Sequence, residues 1–109
     1  MAGMSATNTS SSGADGVVTL AASTQGKRYV IDWIVAAYDG GSTVTSLTVV
    51  SGGSTTVFTA KITVNTTTRT TNINFGPLGI GCGPNEAVVI TQGLIASQVA
   101  TLSVGYHVE

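Results

Sequence analysis

The segment from Thr55 to Val64 reads Thr-Thr-Val-Phe-Thr-Ala-Lys-Ile-Thr-Val, and its side chains alternate in character with a period of two. Every second residue from Phe58 to Val64 is apolar, and the intervening positions carry Thr or Lys61. Successive side chains of a β-strand point to opposite faces of the sheet. The segment therefore predicts a strand with one packed face and one face in solvent.

Similar segments recur about every ten to twelve residues, separated by clusters of Gly, Pro, Asn and Ser, a spacing typical of β-sandwiches. The predicted strands are Val17 to Ala22, Arg28 to Tyr38, Thr43 to Val50, Thr55 to Val64, Thr70 to Phe75, Ala87 to Thr91 and Gln98 to Val108. The longest of them could be divided by a bend. No stretch has a helical period. We therefore expect an all-β fold, an antiparallel β-sandwich of seven to eight strands.

The chain has 109 residues, which suffices for one domain with a single hydrophobic core. Its first 14 residues are mostly Ser, Thr, Gly and Ala, and their only large apolar side chains are Met1 and Met4. We expect residues 1–14 to form a flexible N-terminal arm and residues 15–109 to form the sandwich domain. Such an arm can become ordered on a partner surface. Its candidate contact residues are Ser5, Thr7, Asn8 and Thr9.

Charged residues make up only 8% of the chain, and the formal net charge is −1. An average soluble domain carries roughly 25% charged residues. The four basic residues cannot form the Lys/Arg-dense face that phosphate backbones or anionic membranes require, so we expect neither nucleic acid nor a membrane as a partner. Surface polarity comes instead from 18 Thr and 11 Ser. Because near-zero net charge promotes association, we expect a protein that functions in a permanent assembly.

The sequence offers no pattern of residues for catalysis, metal binding or cofactor binding. His107 is the only imidazole, it lies on the predicted solvent face of the last strand, and no Gly-x-Ser-x-Gly motif accompanies it. The acidic residues are scattered without Asp-x-Asp spacing. The run Gly79-Ile-Gly-Cys-Gly83 precedes a predicted strand, whereas phosphate-binding loops open a helix. We interpret Cys82 as a small, semi-buried apolar residue, and we expect no catalytic residues, no metal and no cofactor.

The segment Tyr29-Val-Ile-Asp-Trp-Ile-Val-Ala-Ala-Tyr38 is apolar on both faces. A third layer, a covering loop or a subunit interface would cover its second face, and we favour the interface. Asp32 lies among apolar residues, where an unpaired carboxylate is costly. We expect it to pair with Arg69 or Lys61, with a water-accessible strand edge as the alternative. The candidate interface residues are Val30, Asp32, Ile34, Tyr38 and Arg69.

Five motifs follow one another along the chain in an order that is familiar from one group of proteins. They are Gly26-Lys-Arg-Tyr-Val-Ile-Asp-Trp33, Ser42-Thr-Val-Thr-Ser-Leu-Thr-Val-Val-Ser-Gly52, Phe75-Gly-Pro-Leu78, Gly83-Pro-Asn-Glu-Ala-Val-Val-Ile90 and Val99-Ala-Thr-Leu-Ser-Val-Gly-Tyr106. The chain resembles the small jelly-roll virion proteins of tailed bacteriophages, in which a Gly-Lys-Arg strand start and a Gly-x-x-Glu-Ala strand start recur. The resemblance covers most of residues 17–108.

The resemblance implies an eight-stranded jelly roll, frequently a homotrimer, that sits on the capsid exterior as a decoration or cement protein bound to the major capsid protein. The N-terminal residues have no basic or apolar region of a secretory signal. Either the chain is not exported by this route, which fits assembly in the host cytoplasm, or a signal has been removed. The alternative is an adhesive head on a tail, fibre or capsid that binds glycans or a receptor. Tyr29 and Trp33 share a predicted strand face and could stack sugars, although packing in the core or an interface is the favoured interpretation.

Overall fold

Nine β-strands make up the regular structure of residues 3–109, the part of the chain that the computed structural model describes. The strands are β1 (Met4–Thr9), β2 (Gly16–Leu20), β3 (Tyr29–Tyr38), β4 (Thr43–Ser51), β5 (Thr55–Val64), β6 (Thr70–Asn74), β7 (Ile80–Gly81), β8 (Val88–Gln92) and β9 (Ala100–Val108). Within this part of the chain, no helix is long and apolar enough to cross a membrane.

The strands form two antiparallel sheets. Sheet I has the order β1-β9-β3-β6, with the two-residue β7 also paired to β3, and sheet II has the order β2-β8-β4-β5. Eight main strands therefore divide equally between two sheets, and most chain connections pass from one sheet to the other. This is the arrangement of a jelly roll. The predicted antiparallel sandwich of jelly-roll type is confirmed.

The hydrophobic core lies between the sheets and follows from the period-two pattern of the strands. Ile34 and Leu102 from sheet I and Leu47 and Ile90 from sheet II are fully buried. Burial of each such side chain stabilises the fold by about 1.5–3 kcal/mol. In β5 the C-terminal apolar positions, including Ile62, are buried and the intervening Thr and Lys side chains are exposed, as the sequence predicted.

Polar side chains also link the two sheets through the core. The amide of Gln92 in β8 donates to the Ala37 carbonyl of β3 at 2.8 Å. The hydroxyl of Tyr38 donates to the Gly93 carbonyl at 2.5 Å, and burial raises the pKa of this phenol. A buried donor without an acceptor would cost about 1–3 kcal/mol. These bonds therefore allow two polar groups to lie between the sheets.

The expectation of a flexible arm is wrong for Met4–Thr9, which forms β1; residues 1 and 2 lie outside the described residues. β1 pairs with β9 in an unbroken register from Met4 opposite Tyr106 to Thr9 opposite Thr101. Ala6 packs against the core from this strand. β1 pairs with the edge of β9 that faces away from β3. This pairing does not require large apolar side chains, because it satisfies the main-chain donors and acceptors of both strands directly.

β3 does not alternate strictly, because a β-bulge interrupts its pairing with β9 between Ile31 and Trp33. Ile31 and Ile34 therefore both point into the core, while Asp32 and Trp33 lie consecutively on the outer side. A bulge inserts one extra residue and shifts the phase of the side chains that follow it. Strict alternation along this strand, which would place Tyr29 and Trp33 on one face, is therefore wrong.

The expected subunit interface on β3 is also wrong for its three apolar residues. Val30, Ile34 and Tyr38 are 2%, 0% and 5% exposed within the single chain. Ile34 and Tyr38 belong to the core, and Val30 is covered by the loop that leads into β7, where a side chain at Gly79 would collide with it. The loop at Gly79, and not a neighbouring subunit, therefore covers Val30.

Candidate functional site

His107 stands between two carboxylates on the outer face of sheet I. Its Nδ1 lies 3.0 and 2.9 Å from the two carboxylate oxygens of Asp32, and its Nε2 lies 2.8 Å from Oε2 of Glu109. Arg28 extends the chain of charges, with Nη2 3.7 Å from Oε1 of Glu109. We call Arg28, Asp32, His107 and Glu109 the His107 cluster. It gathers four of the chain's few ionisable side chains at one end of the sheet.

The β3 bulge and the register of β9 bring these residues together. Val30 lies directly opposite His107, and Asp32 follows on the same outer side, so its carboxylate reaches the imidazole. The prediction that Asp32 needs a partner is confirmed, but the predicted partners Arg69 and Lys61 are wrong. Arg69 lies beyond the other end of β3, where its carbonyl accepts from the Tyr38 N–H.

The hydrogen bonds within the His107 cluster shift two pKa values. The hydrogen bond between His107 and Asp32 raises the pKa of His107 most, and the bond between His107 and Glu109 raises it further, because both stabilise the imidazolium form. The bond to His107 in turn lowers the pKa of Glu109, and Arg28 lowers it further. With His107 protonated, both of its N–H groups donate to carboxylates. The cluster then holds two positive and two negative charges and is neutral as a whole.

This arrangement differs from that of a catalytic histidine. A general base needs one ring nitrogen available to a nucleophile or a substrate, whereas both nitrogens of His107 are bonded to carboxylates. Asp32 and Glu109 lie at opposite sides of the ring, so they do not converge on a common point. Within residues 3–109, no three His, Cys, Asp or Glu side chains are placed to hold one metal ion. The cluster is thus suited to fixing charges at a surface.

Trp33 lies beside the His107 cluster, in the centre of the outer face. It is opposite Gly105 of β9 on one side and opposite Asn74 of β6 on the other. A Cβ placed on Gly105 would overlap Nε1, Cε2 and Cδ1 of the indole, so the five-membered ring of Trp33 lies directly over Gly105. The whole residue remains 36% exposed. A bulky aromatic side chain is therefore held on the surface and not in the core.

Tyr29 and Trp33 do not share a face, contrary to the expectation from alternation. Tyr29 packs edge-to-face on Tyr106, with ring centroids 5.7 Å apart, and its hydroxyl donates to the Ala21 carbonyl at 2.5 Å. Tyr29 and Tyr106 both pack against the core. The bulge between Tyr29 and Trp33 turns the tryptophan to the outside. A platform built from both rings is excluded, and Trp33 alone is available to a ligand.

Three of the predicted arm contacts lie on the same outer face. Ser5, Thr7 and Thr9 are exposed on β1, and their hydroxyls align with those of β9: Thr7 lies 3.0 Å from Ser103 and Thr9 lies 3.3 Å from Thr101. The fourth, Asn8, points to the other side of β1, and its amide donates to the Val17 carbonyl of β2 at 2.6 Å. Asn8 thus links the two sheets, while the other three remain open to contact.

The outer face of sheet II is made of valine and threonine alone across two rows. In one row Thr19 pairs with Val89, Val89 with Val50, and Val50 with Thr56; in the other Val17, Thr91, Thr48 and Thr59 pair in the same way. We call these eight residues the Val/Thr face. None is charged, and Lys61 is the charged residue that borders them on β5. The sequence showed the Thr enrichment, but not that the strands align it into one surface.

Comparisons of the chain with protein-family models, with curated proteins and with solved structures found no match. Function is therefore inferred from the two outer faces of the sandwich. Sheet II presents the uncharged Val/Thr face, and sheet I presents Trp33 beside the His107 cluster. The two faces lie on opposite sides of the molecule, so both can be occupied together.

Proposed function

We propose that this chain is a non-enzymatic structural protein of a tailed-phage virion, a decoration protein that binds the capsid exterior as a homotrimer and stabilises it. Its partners would be further copies of itself and the major capsid protein, with assembly in the host cytoplasm. The jelly-roll arrangement of the sheets agrees with the fold that the resemblance to jelly-roll virion proteins implies. The His107 cluster, in which both imidazole nitrogens are bonded to carboxylates, supports a role without catalysis.

The Val/Thr face is the observation that carries the proposal. Its residues lose little conformational entropy on binding, because β-branched side chains are already restricted at χ1. They also carry no charge that would have to be desolvated, and the centres of permanent interfaces are depleted in charged residues. A rigid and uncharged surface of this kind suits lasting attachment to a shell. We place the capsid contact there.

The proposed trimer contact lies at the open edge between β5 and β6, since the three apolar interface candidates on β3 are buried within the single chain. Phe58 and Phe75 meet there edge-to-face, with centroids 4.9 Å apart, and both are half-buried, as are Val57 and Ile73. Partly exposed apolar side chains beside two unpaired strand edges favour association with another chain. A native mass measurement tests this step: a trimer is expected, and a monomer at high concentration would contradict it.

The proposal is tested by adding the purified protein to undecorated capsids and measuring co-sedimentation and heat resistance. We expect saturable binding and more heat-resistant capsids. Val50→Lys and Val89→Lys should each abolish binding, because they place a charge in the middle of the Val/Thr face. Thr24→Lys, in the exposed loop before β3, is the matched control and should bind like the wild type. Absence of wild-type binding to any capsid offered would overturn the proposal.

A further inference from the structure

The exposure of Trp33 is unusual for the largest apolar side chain in the chain. Trp33 is the only tryptophan, and one side of its indole rests on the backbone at Gly105. Because that side is covered by the sheet and the residue is still 36% exposed, the opposite ring face is directed to solvent. Any side chain at position 105 would lift the ring. The pair of Trp33 and Gly105 therefore presents a flat, fixed aromatic surface.

Polar groups on β6, β1 and β3 border this surface. Asn74 lies opposite Trp33 on β6, and its Oδ1 accepts the Gly76 N–H at 2.8 Å, which orients the amide. Ser5 lies on the far side of Gly105, on β1. Asp32 precedes Trp33 at the bulge. An apolar ring surface bordered by amide, hydroxyl and carboxylate groups matches a ligand that has one apolar face and hydroxyls along its edge.

The charge around Trp33 narrows the class of ligand. Arg28 and protonated His107 balance Asp32 and Glu109, so the surface favours neither anions nor cations. Nucleobases also stack on aromatic rings, but the backbone of single-stranded nucleic acid needs a positively charged groove, which the described residues around Trp33 do not form. The described residues enclose no pocket, which suits a segment of an extended chain better than a small buried ligand.

We propose that Trp33 is the stacking platform of a subsite for neutral saccharides on the outer face of sheet I. The apolar C–H face of a pyranose would lie on the indole, and its hydroxyls would bond to Asn74, Ser5 and Asp32. This inference does not rest on the capsid proposal, because it concerns the opposite face of the sandwich. On a decorated shell, sheet I would face outward with the subsite accessible.

The single tryptophan makes a direct test possible with the unmodified protein. Its fluorescence is recorded while neutral oligosaccharides of glucose, mannose, galactose and N-acetylglucosamine are added to millimolar concentration, and the same sugars are printed on an array. We expect a saturable change of emission with at least one series. Trp33→Ala should weaken array binding by about tenfold or more, in line with the loss of one stacking contact, and Trp33→Phe should recover part of it.

Two controls distinguish stacking on Trp33 from nonspecific hydrophobic binding and from misfolding. Leu78→Ala removes an apolar side chain that is 85% exposed and should leave saccharide binding unchanged. Thermal melting of each variant establishes that it is folded, and the wild-type fluorescence titration needs no variant. No saturable response to any neutral series, binding only to charged glycans, or binding that survives Trp33→Ala would each overturn the inference. None of these outcomes depends on whether the protein binds capsids.

Discussion

Gly105 is the residue whose replacement tests the outer face of sheet I most directly. A Cβ at this position would occupy the space of the Trp33 indole, so Gly105→Ala should force the ring off the sheet. Overpacking of this kind costs about 1–3 kcal/mol, and we expect the lower end because the ring can move toward solvent. Chemical denaturation should show the loss, and tryptophan emission should shift to longer wavelength. Gly3→Ala, which has open space around it, is the control.

His107 should make stability depend on pH. Its pKa is raised from 6.5 by Asp32 and Glu109, so its stabilising contribution is full below the unfolded value and is lost as the pH rises through the folded pKa. The pKa of Glu109 is lowered from 4.5 by His107, so that contribution is present above the unfolded value and is lost as the pH falls through the folded pKa. The cluster therefore stabilises most between about pH 4.5 and 6.5.

The measurement compares the free energy of unfolding of the wild type with that of His107→Gln across this range. The difference should be largest between about pH 4.5 and 6.5 and should decrease on both sides. High salt should reduce it, because the groups involved are partly exposed and screened. A difference that is the same at every pH would contradict the charged arrangement of the His107 cluster.

At the scale of elements, the sequence predicted those strands whose own side chains alternate or are strongly apolar. β5 carries its pattern within one segment, and Gly-rich turns mark the ends of β3 and β4, so seven strands could be placed from local features. β1 could not, because apart from Met4, which is 44% exposed, the side chains on its inward face are small or polar. β1 is stabilised by pairing with β9 at the other end of the chain, and no local sequence pattern indicates this pairing.

The candidate site was only partly predictable for a related reason. The cost of an unpaired Asp32 was visible in the sequence, as was the solvent side of His107. Their contact depends on the bulge in β3 and on the register between β3 and β9, and both are set by packing between distant segments. The same bulge separates Tyr29 from Trp33. An irregularity of one residue thus decided the partner of Asp32 and the exposure of the tryptophan.

Two adjacent substitutions test whether β1 is a docked strand. Ala6 faces the core and Thr7 faces solvent, so Ala6→Asp should destabilise the protein by about 1–3 kcal/mol by placing a carboxylate against apolar groups, while Thr7→Asp should be nearly neutral. Both variants add the same charge to the same strand, and thermal melting compares them. Equal, negligible effects would show that residues 4–9 behave as the flexible arm that the sequence predicted.

At the scale of the whole molecule, the scarcity of charge supports the proposed role in an assembly. Charged residues are 8% of the chain, and those that the structure brings together on sheet I neutralise one another. Solubility then depends on hydroxyl groups, and contacts between copies meet little electrostatic repulsion or desolvation cost. The sandwich therefore offers two outer faces for the proposed contacts, and the Val/Thr face on one of them carries no charge.

The proposed attachment to capsids through the Val/Thr face should accordingly be insensitive to ionic strength. Exposed charges attract or repel over distances that salt shortens, and binding that depends on them changes steeply with salt. Contact between uncharged β-branched side chains has no such electrostatic contribution to the binding free energy. We expect capsid affinity to change by less than about threefold between low and physiological salt, as measured by co-sedimentation. Lys61→Glu, at the border of the face, should change affinity little under either condition. A steep loss of binding with added salt would assign the contact to other, charged residues and not to the Val/Thr face.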